Sequence, residues 1–251
     1  MELSGIFRNA QETMAHAWRQ RRVLLPVTLG PLLLLAVLYW LLGETEVFAV
    51  VALLTGCAVL WLVMRLELLG PAAMLPPRHP ADAARVYWRT ALCFAAMVCG
   101  TLIAMWAILR GAAGAFRAIV GEQADAQKTE LVATLPVVGL LLAAVLLIPF
   151  LALALPPLIE QRKDGFQAAW RGMQGQRGQL LLSCVIAANL GFFAALPLAV
   201  ASGLMQRLMP LDSSVLDAIP VMAYGLLATM FAAIIVVRAY RNALSESVSC
   251  R

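Results

Sequence analysis

The chain has 251 residues, of which 62% are hydrophobic and only 13% are charged, whereas a soluble domain is about half apolar and about a quarter charged. A globular protein of this length still needs a charged surface, so the composition excludes an ordinary soluble fold and predicts a surface that faces a bilayer. The net charge of +5 comes from basic residues between apolar runs, which is typical of membrane orientation signals and argues against a nucleic-acid partner.

Residues 1–22 form the first predicted element, an amphipathic helix. Its apolar stripe recurs at three- and four-residue spacing and consists of Ile6, Phe7, Ala10, Met14, Ala17 and Trp18. A helix of this kind either lies in the membrane interface or against other cytoplasmic segments, or it extends the first membrane span. The segment is too polar to be a signal peptide, so we expect the first span to act as an uncleaved anchor.

Six apolar runs follow, and each is long enough for a membrane helix. They predict spans at about residues 23–42, 47–64, 91–109, 131–155, 180–205 and 218–237. Gly43-Glu44-Thr45-Glu46 predicts a tight polar turn between the first two spans, and residues 238–251 are expected to form a short cytoplasmic tail that is partly disordered. The predicted fold is all-α: a polytopic transmembrane helical bundle with cytoplasmic amphipathic helices.

Arg65 and Glu67 directly follow the second predicted span and precede another apolar stretch. They are two residues apart, so on a helix they do not face each other. One interpretation is an intramembrane polar site, because charge at depth is costly and tends to be kept for function. The other is a pair that snorkels to water at the cytoplasmic boundary.

Lysine and arginine are distributed unevenly among the segments between spans. The N-terminus, the loops after spans two and four, and the C-terminus hold 15 of the 19 basic residues. Because basic residues accumulate on the cytoplasmic side, this asymmetry predicts that both termini are cytoplasmic. We therefore expect a multi-pass membrane protein, and the family resemblance given below implies the bacterial inner membrane as its location.

An aromatic-arginine step precedes each odd-numbered span, at Trp18-Arg19, Trp88-Arg89 and Trp170-Arg171. An indole at this place can lie at the headgroup level, and the guanidinium can reach a lipid phosphate. The recurrence predicts an internal repeat of three parallel hairpins. These six residues are candidate interfacial anchors or partner contacts.

The segment around the third aromatic-arginine step, Trp170-Arg171, resembles a known family. The run ALPPLIEQRKDGFQAAWRGMQGQRGQLLL and the last apolar segment AYGLLATMFAAIIVVRAYRNAL are similar to the YciC-like bacterial inner-membrane proteins. They also resemble the membrane domain attached to some glycerophosphoryl diester phosphodiesterases. The resemblance implies a helical inner-membrane protein of about six spans. It carries no catalytic residues over, because the phosphodiesterase activity belongs to a separate soluble domain.

No pattern in the sequence predicts catalysis, a cofactor or a metal. The polar residues of the later spans, among them Ser183 and Asn189, have no intramembrane Asp or His to activate them, so we expect helix-packing hydrogen bonds and no enzyme. The five cysteines form no CxxC pattern, and the two histidines fall in charged flanks.

Two functions stay open, with membrane lipids as partners in both. The first is an accessory or scaffold subunit of a membrane-protein complex, or a factor in envelope homeostasis. The second is a permease-like subunit for a lipid or an apolar small molecule. The chain has no GxxxxGK[ST] loop, so any ATP-driven role requires a separate ATPase partner.

Overall fold

The fold is known from a computed structural model, which describes residues 3–73, 81–120, 152–162, 164–173, 177–208 and 213–249. These residues are almost entirely helical, and no β-strand occurs among them. The helices are α1 (Leu3–Arg19), α2 (Arg21–Leu42), α3 (Glu46–Leu69), α4 (Ala81–Val120), α5 (the helical residues 152–160), α6 (Gly165–Gly172), α7 (Arg177–Leu208) and α8 (Ser213–Ser249), with a short 3-10 turn at Pro71–Ala73. The prediction of an all-α protein is confirmed.

Four helices in the described part of the chain are long and apolar enough to cross a membrane, namely α2, α3, α7 and α8. They coincide with the spans expected at 23–42, 47–64, 180–205 and 218–237, and they are consistent with a membrane protein. The span expected at 91–109 lies within α4, and most of the one expected at 131–155 lies outside the described residues. Six spans and three hairpins therefore remain predictions.

The turn between α2 and α3 has the compact form expected from its sequence. Gly43 adopts a φ of 63°, and the Thr45 side chain caps α3 by accepting a hydrogen bond from the Phe48 amide at 3.2 Å. The Tyr39 hydroxyl donates to Glu44 Oε1 at 3.0 Å. These bonds close the turn between α2 and α3.

The structure decides one helix boundary that the sequence left open, and it moves two others. The chain turns at Gln20 between α1 and α2, so α1 is a separate helix and not an extension of the first span. Helix α4 continues through Arg110 to Val120, because the alanine-rich segment there favours helix. Helix α8 continues to Ser249, so the expectation of a partly disordered tail from residue 238 was wrong.

Helix α8 lies at the centre of the bundle and contacts α1, α2, α3, α6 and α7. From Met230 to Tyr240 its side chains are almost continuously buried, including Ile234, Val237 and Tyr240. A helix that is apolar on every side needs neighbours on every side. The core of the protein is therefore organised around the second half of α8.

Helices α7 and α8 approach each other closely at Gly191. A Cβ atom on this glycine would lie 2.6 Å from the backbone nitrogen of Ala228. Small residues at such contacts let two membrane helices pack backbone to backbone. Gly203, on the same helix, has nothing within 4 Å of the corresponding position.

We expect Gly191→Ala to destabilise the protein, because the added methyl group must push α7 away from α8; overpacking typically costs about 1–3 kcal/mol. Gly203→Ala is the matched control and should be neutral or stabilising, since alanine favours a helix over glycine by about 1 kcal/mol. Thermal unfolding in mild detergent measures both variants. Equal melting temperatures for the two would contradict the close packing.

Candidate functional site

Polar side chains near the C-terminal end of α8 contact three other segments. Arg238 donates to the Glu12 carbonyl of α1 at 3.3 Å, and Arg241 donates to the Glu67 carbonyl of α3 at 2.6 Å. The Tyr240 hydroxyl donates to Glu160 Oε2 of α5 at 3.0 Å. We call this set of contacts, together with His16 and Arg65, the polar junction.

Helix α6 joins the polar junction through its glycines. A Cβ on Gly165 would lie 2.9 Å from the Tyr240 hydroxyl oxygen, and a Cβ on Gly172 would overlap the Ala243 carbonyl. Between these glycines, Ala169 is completely buried. Helix α6 therefore packs closely against the end of α8.

His16 and Glu67 form a largely buried side-chain contact at the junction. His16 Nε2 lies 2.9 Å from Glu67 Oε1 and 3.0 Å from Oε2, and the Glu67 side chain is only 5% exposed. The imidazole therefore faces both carboxylate oxygens, which fixes α1 to the end of α3. A carboxylate buried to this degree is costly unless it is paired and hydrogen-bonded.

Arg65 takes a different partner from Glu67. Its guanidinium carbon lies 4.9 Å from the centre of the Trp61 ring and 4.6 Å from the centre of the Tyr87 ring. These two cation-π contacts, together with the edge-to-face contact of the Trp61 and Tyr87 rings at 4.6 Å, connect α3 to the beginning of α4. As whole residues, Arg65 and Glu67 are both 8% exposed. This burial does not fit the snorkelling interpretation, because a snorkelling head group lies in water.

The opposite sides of α1 have different environments. Thr13, His16 and Gln20 share one side of the helix; Thr13 is buried, and His16 contacts Glu67. Met14 and Trp18 of the predicted apolar stripe point away from this contact and are 49% and 69% exposed, whereas Ala17 packs against the core. Helix α1 thus binds the bundle through its polar edge.

The apolar stripe of α1 borders a large cavity between α2 and the α7–α8 pair. Its volume is about 820 Å³, within the range of about 300–1,000 Å³ that is usual for ligand sites. Leucines of α2 and apolar side chains of α7 and α8 form the walls, and Gln11, Trp18 and Arg21 lie at the α1 end. Of the described residues that line it, none is acidic.

A second, small cavity of about 90 Å³ lies beside the junction between α1, α7 and α8. Thr13, Ser183, Arg238 and Asn242 are among the residues that line it. Its size and polar lining suit a few ordered water molecules.

The structure gives the three aromatic-arginine steps different surroundings. Trp18 and Trp88 are exposed, whereas Trp170 is half-buried and its ring centre lies 5.6 Å from that of Phe166. The three arginines of these steps, Arg19, Arg89 and Arg171, are all exposed.

The three aromatic-arginine steps also differ in the course of the backbone around them. A break separates α1 from α2, and another separates α6 from α7, but α4 runs without a break from Ala81 past Trp88. The repeat therefore remains a prediction from sequence.

Sequence reasoning missed the residues that hold the junction together. His16 lies in a charged flank and Arg241 in a polar C-terminal segment, and neither sequence pattern indicates a partner on a distant helix. The sequence contains one relevant signal: Thr13, His16 and Gln20 recur at helical spacing along one side of α1 and form its polar edge.

No family model, curated protein or solved structure matches this chain. In the part of the chain that the structure describes, no three His, Cys, Asp or Glu side chains cluster in a way that could hold a metal ion. Function must therefore be argued from the polar junction and the cavity.

We expect His16→Ala to lower the free energy of unfolding by about 3 kcal/mol, because it leaves the buried Glu67 carboxylate without its partner. In a Glu67→Gln background the same change should cost much less, since no buried charge is left behind. Titration with a denaturing detergent measures the free energies of all four proteins.

Arg8→Ala is the control for this cycle. Arg8 pairs with Glu12 at 3.1 Å on the same helix, but both side chains are exposed. Its loss should cost at most about 0.5 kcal/mol. If Arg8→Ala and His16→Ala were equally destabilising, the His16 pair would not be the contact that fixes α1.

Proposed function

We propose that the protein is a non-enzymatic integral protein of the bacterial inner membrane, with both termini in the cytoplasm, that acts as an accessory or scaffold subunit or as a factor in envelope homeostasis. The observation that carries this proposal is the polar junction. It joins α1, α3, α5, α6 and α8 into one surface at one end of the bundle.

The charge distribution supports the orientation. The junction is built from the same four basic segments that hold 15 of the 19 lysines and arginines. Basic segments of this kind are retained in the cytoplasm. Arg238 and Arg241 bond to backbone carbonyls, while Arg19, Arg89 and Arg171 are exposed.

The use of the polar groups supports a scaffold. His16 binds Glu67, and Tyr240 binds Glu160, in each case between different helices. Polar groups with a structural role are bonded in this way. The exposed Trp88-Arg89 step lies one residue beyond the Tyr87 ring that packs on Arg65. Tryptophan and arginine are the residues most enriched in interface hot spots, so a rigidly presented pair suits contact with a partner protein.

A permease-like subunit for a lipid or an apolar small molecule is the second candidate. It is favoured by the 820 Å³ apolar cavity beside α2, α7 and α8. ATP-driven movement of the cargo would need a separate ATPase subunit. The YciC-like resemblance is compatible with either function.

We expect single cysteines in a cysteine-free background to report the orientation. Cysteine at Glu44 or Asp217, at the end away from the junction, should react with a membrane-impermeant maleimide added to intact spheroplasts. Cysteine at Arg171 or Ser245 should react only after the membrane is opened. The reverse pattern would overturn the orientation.

We expect Trp88→Ala combined with Arg89→Ala to reduce recovery of a partner complex at least about tenfold, a loss of about 1.4 kcal/mol. The assay is affinity purification from native membranes in mild detergent, with quantitative mass spectrometry. Trp18 is left intact because it also borders the cavity.

Trp40→Ala is the matched control, since Trp40 is 70% exposed near the opposite end of α2. A stoichiometric ATPase in the purified complex would favour the permease, and another envelope complex would favour the accessory role. Recovery of the protein without any partner, even after cross-linking in membranes, would contradict the scaffold.

A further inference from the structure

The cavity between α1, α2, α7 and α8 has an amphipathic lining that is graded along its length. At the α1 end lie Gln11, Trp18 and Arg21, and farther along α2 the lining residues are Leu25, Leu29 and Leu32. Leu25 and Leu29 are each nearly half exposed, although they line a concave surface. This surface is therefore open to whatever surrounds the bundle.

The length of the cavity matches one leaflet of a bilayer. Arg21 and Leu32 are eleven positions apart on one helix, which corresponds to about 16 Å. The hydrocarbon core is about 30 Å thick, so one leaflet contributes about half of that. A single acyl chain that enters beside Arg21 would end close to Leu32.

The charge at the mouth of the cavity is positive. Arg21 is exposed, its Nη1 donates to the Trp18 carbonyl at 3.0 Å, and its guanidinium carbon lies 4.8 Å from the centre of the Trp18 ring. A guanidinium carries five N–H donors, so the bond to Trp18 leaves others to face outward. Arg19 and Arg22 are also exposed on either side.

Met14 and Trp18 of α1 face this space. Its polar edge fixes the helix through His16 and Glu67, and that contact directs Met14 and Trp18 over the cavity mouth. Exposed apolar surface of this kind is typical of a binding surface. Basic pockets between membrane helices bind phospholipid head groups.

From these observations we infer that the cavity holds one anionic glycerophospholipid from the leaflet on the α1 side, with its phosphate at Arg21 and one acyl chain along Leu25, Leu29 and Leu32. The lipid joins α1 to α2, α7 and α8. This site is compatible with both functions proposed above and depends on neither.

The test is native mass spectrometry of the full chain, stripped of lipid in detergent and titrated with phosphatidylglycerol or with phosphatidylethanolamine of the same acyl chains. The wild-type protein should bind one phosphatidylglycerol at least tenfold more tightly than one phosphatidylethanolamine. Arg21→Ala should weaken phosphatidylglycerol binding about tenfold. Arg8→Ala removes an exposed arginine of α1 that does not line the cavity, and it should leave binding unchanged.

Ala194→Trp fills the cavity from α7 and should abolish binding of the first lipid. Val200→Trp is its control, since Val200 is 61% exposed on the same helix and does not line the cavity. Leu25→Trp is a second filling variant, at an exposed position of α2, in case Ala194→Trp does not fold. Thermal unfolding identifies any variant that has lost its structure.

Three outcomes would overturn the inference. Wild-type affinity in a folded filling variant would show that the lipid binds elsewhere. Equal effects of Arg8→Ala and Arg21→Ala would show general attraction to a basic surface. A dimer mass with no lipid would show that a second copy covers the cavity. None of these three outcomes changes the result expected in the partner assay. The lipid site and the proposed scaffold function can therefore be refuted separately.

Discussion

The contacts of Arg238, Tyr240 and Arg241 fix the polar end of the bundle. These three α8 residues bond to α1, α5 and α3 respectively, and the close approach of Gly172 to Ala243 adds α6. The bond from Arg241 ends on the Glu67 carbonyl in the last turn of α3, where the last carbonyls have no partner within their own helix. The C-terminal part of α8 therefore supplies hydrogen-bond donors to its neighbours and sets their positions.

The orientation of α1 follows from that arrangement. Pairing His16 with Glu67 avoids an isolated buried carboxylate, which would cost more than the helix could gain by burying a few apolar side chains. Thr13 and His16 on the polar edge of α1 therefore face the bundle, and Met14 and Trp18 face the cavity. In a membrane this costs little, because lipid accepts an apolar surface that water would not.

Much of the fold could be predicted from sequence. Composition identifies a membrane protein, and apolar runs locate α2, α3, α7 and α8, because the length of a membrane helix is set by bilayer thickness. The turn at Thr45 is recognisable as well, since its signals are local.

The candidate site was less predictable, because its contacts are between distant residues. Nothing near His16 in the sequence indicates Glu67, 51 residues away. The polarity of RAYRNAL predicts exposure, yet Tyr240 is completely buried. Charge density predicted a tail there because the partners that bury these side chains lie on other helices. Arg65 and Glu67 were recognised as unusual, but their separate partners could only be seen in three dimensions.

The central position of α8 also bears on biosynthesis. During translation α1, α3, α5 and α6 leave the ribosome before α8 does, since synthesis proceeds from the N-terminus. His16 and Glu67 can meet early, whereas the carbonyls that accept from Arg238 and Arg241 must wait for α8. Insertion of the first helices is thus separated in time from completion of the bundle. In that interval the unfinished protein exposes the surfaces that membrane chaperones and proteases recognise.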